Sequence, residues 1–197
     1  MEAEKLLEAM AVAGRLKDAV RHCETSGGRR ESVAEHCWRM TLMAYFVSDE
    51  FPEADTLKLL KMCLIHDLGE AFTGDIPVFE KTGEDEKREQ RLLAGWTKGL
   101  PEPFRSEMAG LYEEMRRRES LEAKICKALD CLEALIQHNE SDIGTWLPLE
   151  YDLQMTYGND KTAFSEYMAK LRELVREDSR EKIRREAPSP GDHRNFT

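Results

Sequence analysis

Leu64-Ile65-His66-Asp67-Leu68-Gly69-Glu70-Ala71-Phe72-Thr73-Gly74-Asp75 is the stretch on which the reading of this chain turns. It ends an apolar run and then carries one histidine and three carboxylates. Glu70 lies four residues after His66 and three after Asp67, so a helix would place all three side chains at neighbouring positions. His66 and Asp67 follow apolar residues directly, so both are expected to be partly buried. A buried, unpaired carboxylate is costly. A cation offsets that cost, and imidazole with carboxylate is a suitable ligand set for a divalent metal.

Outward from this stretch the pattern is helical. Leu57, Leu60, Leu64 and Leu68 recur at helical spacing and predict a helix over 54–68. Before it, Ser32 can cap a helix, with Glu35 as its capping-box partner, and Phe51-Pro52 ends that helix. Leu6, Met10, Ala13, Leu16 and Val20 predict one amphipathic helix over the first twenty residues, closed by a loop at Thr25-Ser26-Gly27-Gly28. In the other direction, the charged stretch 83–91 leads into a helix ending near Leu100-Pro101, and a further helix is expected over 103–117. Over 121–137, Leu121, Ile125, Ala128, Leu132 and Leu135 make a stripe, yet Leu129 and Ile136 lie off it. A helix apolar over so much of its circumference belongs at the centre of a fold. Residues 145–158 read as irregular, 161–177 as a last helix, and 187–197 as a frayed or disordered tail. With no alternating strand pattern, repeat or second boundary, the expected fold class is all-α, a single globular helical bundle over 1–180.

Composition narrows the function. The 197 residues hold 29 basic and 39 acidic side chains, a net charge of −10, which opposes non-specific binding to a nucleic-acid polymer. Charges interrupt every apolar run well before the ~18 residues of a membrane span. Cys23, Cys37, Cys63, Cys126 and Cys131 form no close pair and read as reduced thiols, the usage of a cytoplasmic protein. The acidic first twenty residues do not read as a signal peptide.

Two more polar residues sit in apolar surroundings. His36 lies on the stripe of Met40, Met43 and Val47, and Asp130 lies within Ile125-Cys126-Lys127-Ala128-Leu129-Asp130-Cys131-Leu132. Alone, each has a plain explanation: His36 as a satisfied core histidine, Asp130 as the partner of Lys127. Together with His66 and Asp67 they make two histidines and two aspartates from three helices.

That order resembles the HD-domain metal-dependent phosphohydrolases, specifically their small 5′-deoxynucleotidase branch. The resemblance rests on Glu31-Ser32-Val33-Ala34-Glu35-His36 with Trp38-Arg39-Met40, on His66-Asp67-Leu68-Gly69-Glu70 with Thr73-Gly74-Asp75-Ile76-Pro77, and on Lys127-Ala128-Leu129-Asp130 with Glu133. It covers about residues 10–140. It implies an HD-domain helical bundle, with His36, His66, Asp67 and Asp130 as ligands of one divalent ion. Nitrogen plus hard oxygen suits Mn²⁺, Co²⁺, Fe²⁺, Ni²⁺ or Mg²⁺ alike. It also implies that Glu70 orients or deprotonates the attacking water, assisted by Asp75. In that branch an arginine on the first helix grips the 5′-phosphate and a tryptophan follows it. Counting from Leu16-Lys17 puts Arg21 at the arginine position and His22 where the tryptophan would stand. That replacement bears on the choice between deoxyribose and ribose, not on the hydrolysis. Arg29 and Arg30 are rival phosphate binders. The resemblance further implies a phosphorylated small-molecule substrate, most simply a nucleoside 5′-monophosphate, and a homodimer. Trp146, Leu147, Leu149 and Tyr151 are candidates for a dimer contact, for packing over the site, or for covering their own core.

Other readings remain. The substrate could be a phosphodiester, a nucleoside triphosphate or a non-nucleotide phosphomonoester, or the chain could be a non-catalytic metal-binding module. A zinc site drawn from Cys37 and Cys63 with the two histidines is disfavoured, because thiolate ligand pairs favour turns and these lie within helices. His138 and His193 belong to no constellation and read as surface.

Overall fold

The structure, a computed structural model, describes residues 1–187. The sequence expectation for the tail falls almost wholly outside them. Ten α-helices, three short 3-10 helices and one small hairpin make up the regular structure of the described residues.

The first twenty residues do not form one helix. Helix α1 (Ala3–Ala13) gives way to a 3-10 turn over Gly14–Lys17, and the chain then extends into strand β1 (Val20–Glu24). It pairs antiparallel with β2 (Arg30–Ser32) around the Gly27-Gly28 loop. Gly28 takes φ 75°, a left-handed conformation that glycine adopts without steric cost. The hairpin corrects both the long first helix and the absence of strands. It also moves Arg21 and His22 from a helix to a strand.

Helix α2 (Val33–Val47) begins with the expected capping box: Ser32 accepts from Glu35 N, and Glu35 accepts from Ser32 N. Its buried residues divide between two apolar clusters. Val33 and Cys37 join Leu16, Leu68, Ala71 and Leu93, whereas Met40, Ala44 and Val47 join the main core. His36 lies between the two sets on the helix.

Helix α3 (Thr56–Ile65) is capped by Asp55. It buries Leu59, Met62 and Cys63, while Leu57 and Leu64 are 61% and 59% exposed. Half of the leucine stripe therefore faces outward: Leu57 and Leu64 are exposed, Leu60 packs partly buried against the core, Leu68 is buried beyond the helix end, and Leu59, Met62 and Cys63 fill the core. The helix also stops earlier than expected. Tight turns at His66–Gly69 lead into the single-turn helix α4 (Glu70–Thr73), which ends at Gly74 with φ 76°. That left-handed residue redirects the chain and leaves Asp75 lining a cleft.

Helices α5 (Gly83–Thr97) and α6 (Phe104–Arg117) cover one side. The charged stretch 83–91 is the first half of α5 itself, started by a Thr82–Asp85 capping box. Helix α7 (Leu121–Glu140) is the central element, packed against α2, α3, α6 and α10. Ile125, Ala128, Leu129 and Leu132 are fully buried, each large side chain among them contributing about 1.5–3 kcal/mol. Residues 145–158 are not irregular: Pro148 opens helix α8 (Pro148–Thr156). The turn-long α9 (Asn159–Thr162) and the final α10 (Glu166–Glu186) complete the layer over α7. Trp146 is buried with Tyr151 edge-on against it, whereas Leu147 and Leu149 remain partly exposed. Among the described residues all five cysteines are free and buried, and no helix is long and apolar enough to cross a membrane.

Candidate metal centre and active site

Helix α2, the turn after α3, and helix α7 each contribute side chains to one point. The ligand-type atoms of His36, His66, Asp67 and Asp130 all lie within 4.8 Å of one another. The two Nε2 atoms are 3.2 Å apart. From His36 Nε2, Asp67 Oδ2 is 3.6 Å and Asp130 Oδ1 3.4 Å away; from His66 Nε2 the same atoms are 3.0 and 3.8 Å away.

The opposite ring nitrogens are already committed. His66 Nδ1 lies 2.9 Å from the Cys63 carbonyl oxygen, which can only accept, so Nδ1 carries the proton. His36 Nδ1 is paired with Glu133, which is fully buried and also accepts from Arg39 Nε at 2.8 Å. Both imidazoles thus direct Nε2 at the same point as two carboxylates. Such a carboxylate or carbonyl behind each ring is how metal-binding histidines are held. Contacts of 3.0–3.8 Å are the edges expected of a ligand shell with bonds of about 2.1 Å, so the residues fit a divalent ion.

The electrostatics agree. Burial pushes His66 toward its neutral form, but Asp67 beside it holds its pKa well above the ordinary value. Burial pushes Asp130 up, and Lys127, at 2.6 Å, with His36 and His66 brings it well below the carboxylate range. Lys127 therefore pairs with Asp130, and Asp130 faces the histidines as well.

Glu70 stands beside the cluster. It is 5% exposed, and its Oε2 has no hydrogen-bond partner. Burial, then the neighbouring Asp67 and Asp75, push its carboxyl up to about 10. Asp75 is raised too, by burial first, with Asp67 adding to it and Arg21 opposing. The Arg21 guanidinium is mostly buried, with Nε 3.2 Å from Glu31 Oε2, an ion pair without hydrogen-bond geometry, and Nη1 3.8 Å from Asp67 Oδ2.

Arg21, Asp67, Glu70, Asp75 and Asp130 line a cleft of about 250 Å³. Asp67 and Asp130, with His66, also line a larger cavity of about 690 Å³ on the side of α5 and α6. The sequence-selected residues thus come together. Arg29 and Arg30 do not: Arg29 is tied to Glu35 on the outer face, and both arginines line a separate surface hollow. His138 corrects its surface reading, since it is mostly buried in the cleft wall and paired with Glu150 at 2.7 Å. Glu150 itself was missed: on sequence it is one acidic residue among many. Glu133 entered only as the end of a motif. His193 lies outside the described residues.

A family profile described as HD domain matches residues 13–172. The chain belongs to the HD-domain family. Among relatives, the human 5′-deoxynucleotidase HDDC2 is 34% identical over 142 residues, covering 70% of this chain and 69% of that one. The fission-yeast 5′-deoxynucleotidase hdd1 is 29% identical over 113 residues, with 54% and 56% covered. Among solved structures, a predicted metal-dependent phosphohydrolase from Magnetospirillum magnetotacticum MS-1 superposes with a TM-score of 0.71 at 27% identity, covering 93% of this chain and 99% of that one. Membership of the HD-domain family and the cluster of His36, His66, Asp67 and Asp130 together support a divalent-metal site.

Proposed function

We propose that this HD-domain protein is a divalent-metal-dependent phosphohydrolase that removes the phosphate of nucleoside 5′-monophosphates. The observation that carries the reading is the convergence of His36 Nε2, His66 Nε2, Asp67 and Asp130 at the wall of a cleft that also holds Glu70 and Arg21. The names of the relatives support the substrate class.

His36, His66, Asp67 and Asp130 would hold the ion, with Mn²⁺, Co²⁺, Fe²⁺, Ni²⁺ and Mg²⁺ all compatible with the donor set. Bound there, it supplies Lewis-acid polarisation of a phosphoryl oxygen and lowers the pKa of water. Arg21 binds the phosphate, its planar guanidinium matching two phosphoryl oxygens. Without a cation, burial, Asp67 and Asp75 keep Glu70 protonated; a cation held by Asp67 and Asp130 would offset that neighbouring charge, and the carboxylate so freed takes a proton from the attacking water. As the water oxygen bonds to phosphorus, the phosphorus–O5′ bond breaks. Asp75, whose proton affinity is raised by burial and by Asp67, delivers the proton to the departing O5′. His22 contacts the nucleoside. The products are the nucleoside and inorganic phosphate.

The finer settings follow from the same reading. The HD domain spans 1–180, with its motifs in 10–140. The protein works in the cytoplasm, as its five free cysteines suggest. It works as a homodimer, supported by Trp38, Leu42 and Tyr45, exposed at helical spacing along α2.

The test is phosphate release by metal-stripped protein from a panel of ribo- and deoxyribonucleoside 5′-monophosphates with Mn²⁺, Co²⁺ or Mg²⁺. Release that Asp67→Ala abolishes is the expected result. Silence across the panel with metal bound would overturn the nucleotidase assignment and direct attention to diesters, triphosphates and other phosphomonoesters.

A further inference from the structure

The cleft has a second end that the hydrolytic chemistry leaves unused. There, His22 from β1 and His138 from α7 converge on Glu150 from α8. His138 Nε2 lies 2.7 Å from Glu150 Oε1, and His22 Nε2 lies 3.3 Å from the same oxygen. The other oxygen accepts from Leu147 N at 2.6 Å. The carboxylate is thus 3% exposed, accepts from His138 Nε2 and Leu147 N, and has His22 Nε2 within ion-pair distance. Burial alone would push Glu150 up; His138 and the Leu147 amide hold it below its ordinary value, so it is ionised and accepts.

An imidazole that donates Nε2–H to a carboxylate presents Nδ1 as an acceptor. Neither Nδ1 has a hydrogen-bond partner among the described residues, and both rings line the cleft. Trp146 holds the His138 segment in place, donating its indole N–H to the His138 carbonyl at 3.1 Å. Phe79 meets His22 edge-on at 5.8 Å, and Leu135 and Leu153 complete an apolar wall. Apolar walls with a few fixed polar groups are how small-molecule sites orient a flat ligand.

We infer that His22, Glu150 and His138, with Phe79, Leu135 and Leu153, form a nucleobase subsite. His138 Nδ1 accepts a hydrogen bond from the amino group of a heteroaromatic base, His22 lies beside it as the second imidazole, and Glu150 is the positioning residue that fixes the His138 tautomer and holds His22 at ion-pair distance. This deepens the nucleotidase reading and rests on it.

The experiment compares kcat/KM for deoxyadenosine 5′-monophosphate, adenosine 5′-monophosphate and deoxyribose 5-phosphate in the metal-loaded enzyme and in His22→Phe and His138→Phe. Both variants keep an aromatic ring and lose its nitrogens. They lie on different elements, so misfolding of one, seen as a lowered Tm, leaves the other informative. The expected result is a fall of about five- to tenfold in the ratio of nucleotide to sugar-phosphate kcat/KM, as for one lost hydrogen bond. An unchanged ratio would overturn the subsite. So would a change confined to the ratio of adenosine to deoxyadenosine substrate, which would place the contact at the sugar. Wild-type enzyme that hydrolyses sugar phosphate as well as nucleotide also overturns it, with hydrolysis intact. Wild-type enzyme inactive on both nucleotides defeats the nucleotidase reading itself, and the subsite falls with it.

Discussion

Glu70 carries a conflict inside one side chain. Its carboxyl is buried among other carboxylates with an oxygen unpaired, a cost that the proposed role of proton acceptor would account for. The stability consequence has a definite sign. Folded, Glu70 holds its proton up to about 10; unfolded, it releases it near 4.5. Its contribution is therefore fully present below pH 4.5 and is lost as the pH rises toward that folded value. Metal-free protein is expected to lose Tm progressively from about pH 5 to about pH 9. Glu70→Gln, which cannot ionise, flattens this loss and raises the Tm of the metal-free protein at neutral pH. The same variant loses phosphate release by about a hundredfold or more while still binding metal. Thermal scans across pH in a chelator, beside activity and metal content of the loaded protein, check both halves. A variant that is inactive because it no longer binds metal would contradict the role given to Glu70.

At the scale of elements, α3 shows where sequence periodicity misleads. Of four leucines at helical spacing, Leu60 and Leu68 reach the core but Leu57 and Leu64 point to solvent, and Leu59, Met62 and Cys63 fill the buried face. Methionine and cysteine are good core residues that a leucine stripe overlooks. Leu59→Ala is expected to cost about 2–5 kcal/mol and Leu64→Ala about 0.5 kcal/mol or less, measured by denaturant unfolding. The hairpin was hidden for a different reason. Val20-Arg21-His22-Cys23-Glu24 is too short and too polar to show alternation, and its partner β2 is three residues long. By contrast, Ser32 and Glu35 announce the start of α2, and α7 announces its central place by apolar residues around most of its circumference. The metal cluster was legible because each member is a polar residue among apolar ones. The far end of the cleft was not, because His138 and Glu150 look like ordinary polar positions until α7 and α8 are packed together.

For the whole molecule, the cluster ties α2, the α3–α4 turn and α7 together. An ion that binds only the folded arrangement adds its binding free energy to stability. Chelation should therefore lower the Tm, and titration with Mn²⁺ or Co²⁺ should restore it, with a ten-fold excess over Kd worth about 1.4 kcal/mol. Asp67→Ala should show little of this restoration. A Tm indifferent to metal in the wild type would mean that the cluster is satisfied without an ion.

The spacing of those ligands along the chain also sets an order of events during synthesis. His36, His66 and Asp67 leave the ribosome well before Asp130 and Glu133. The growing chain thus has two imidazoles and one carboxylate but not the acid that orients the His36 ring. The fourth proposed ligand, Asp130, and the acid behind His36 come only with α7, the same helix that completes the core. On the proposed ligand set, the complete site and the completed core would therefore arrive together, with the same helix.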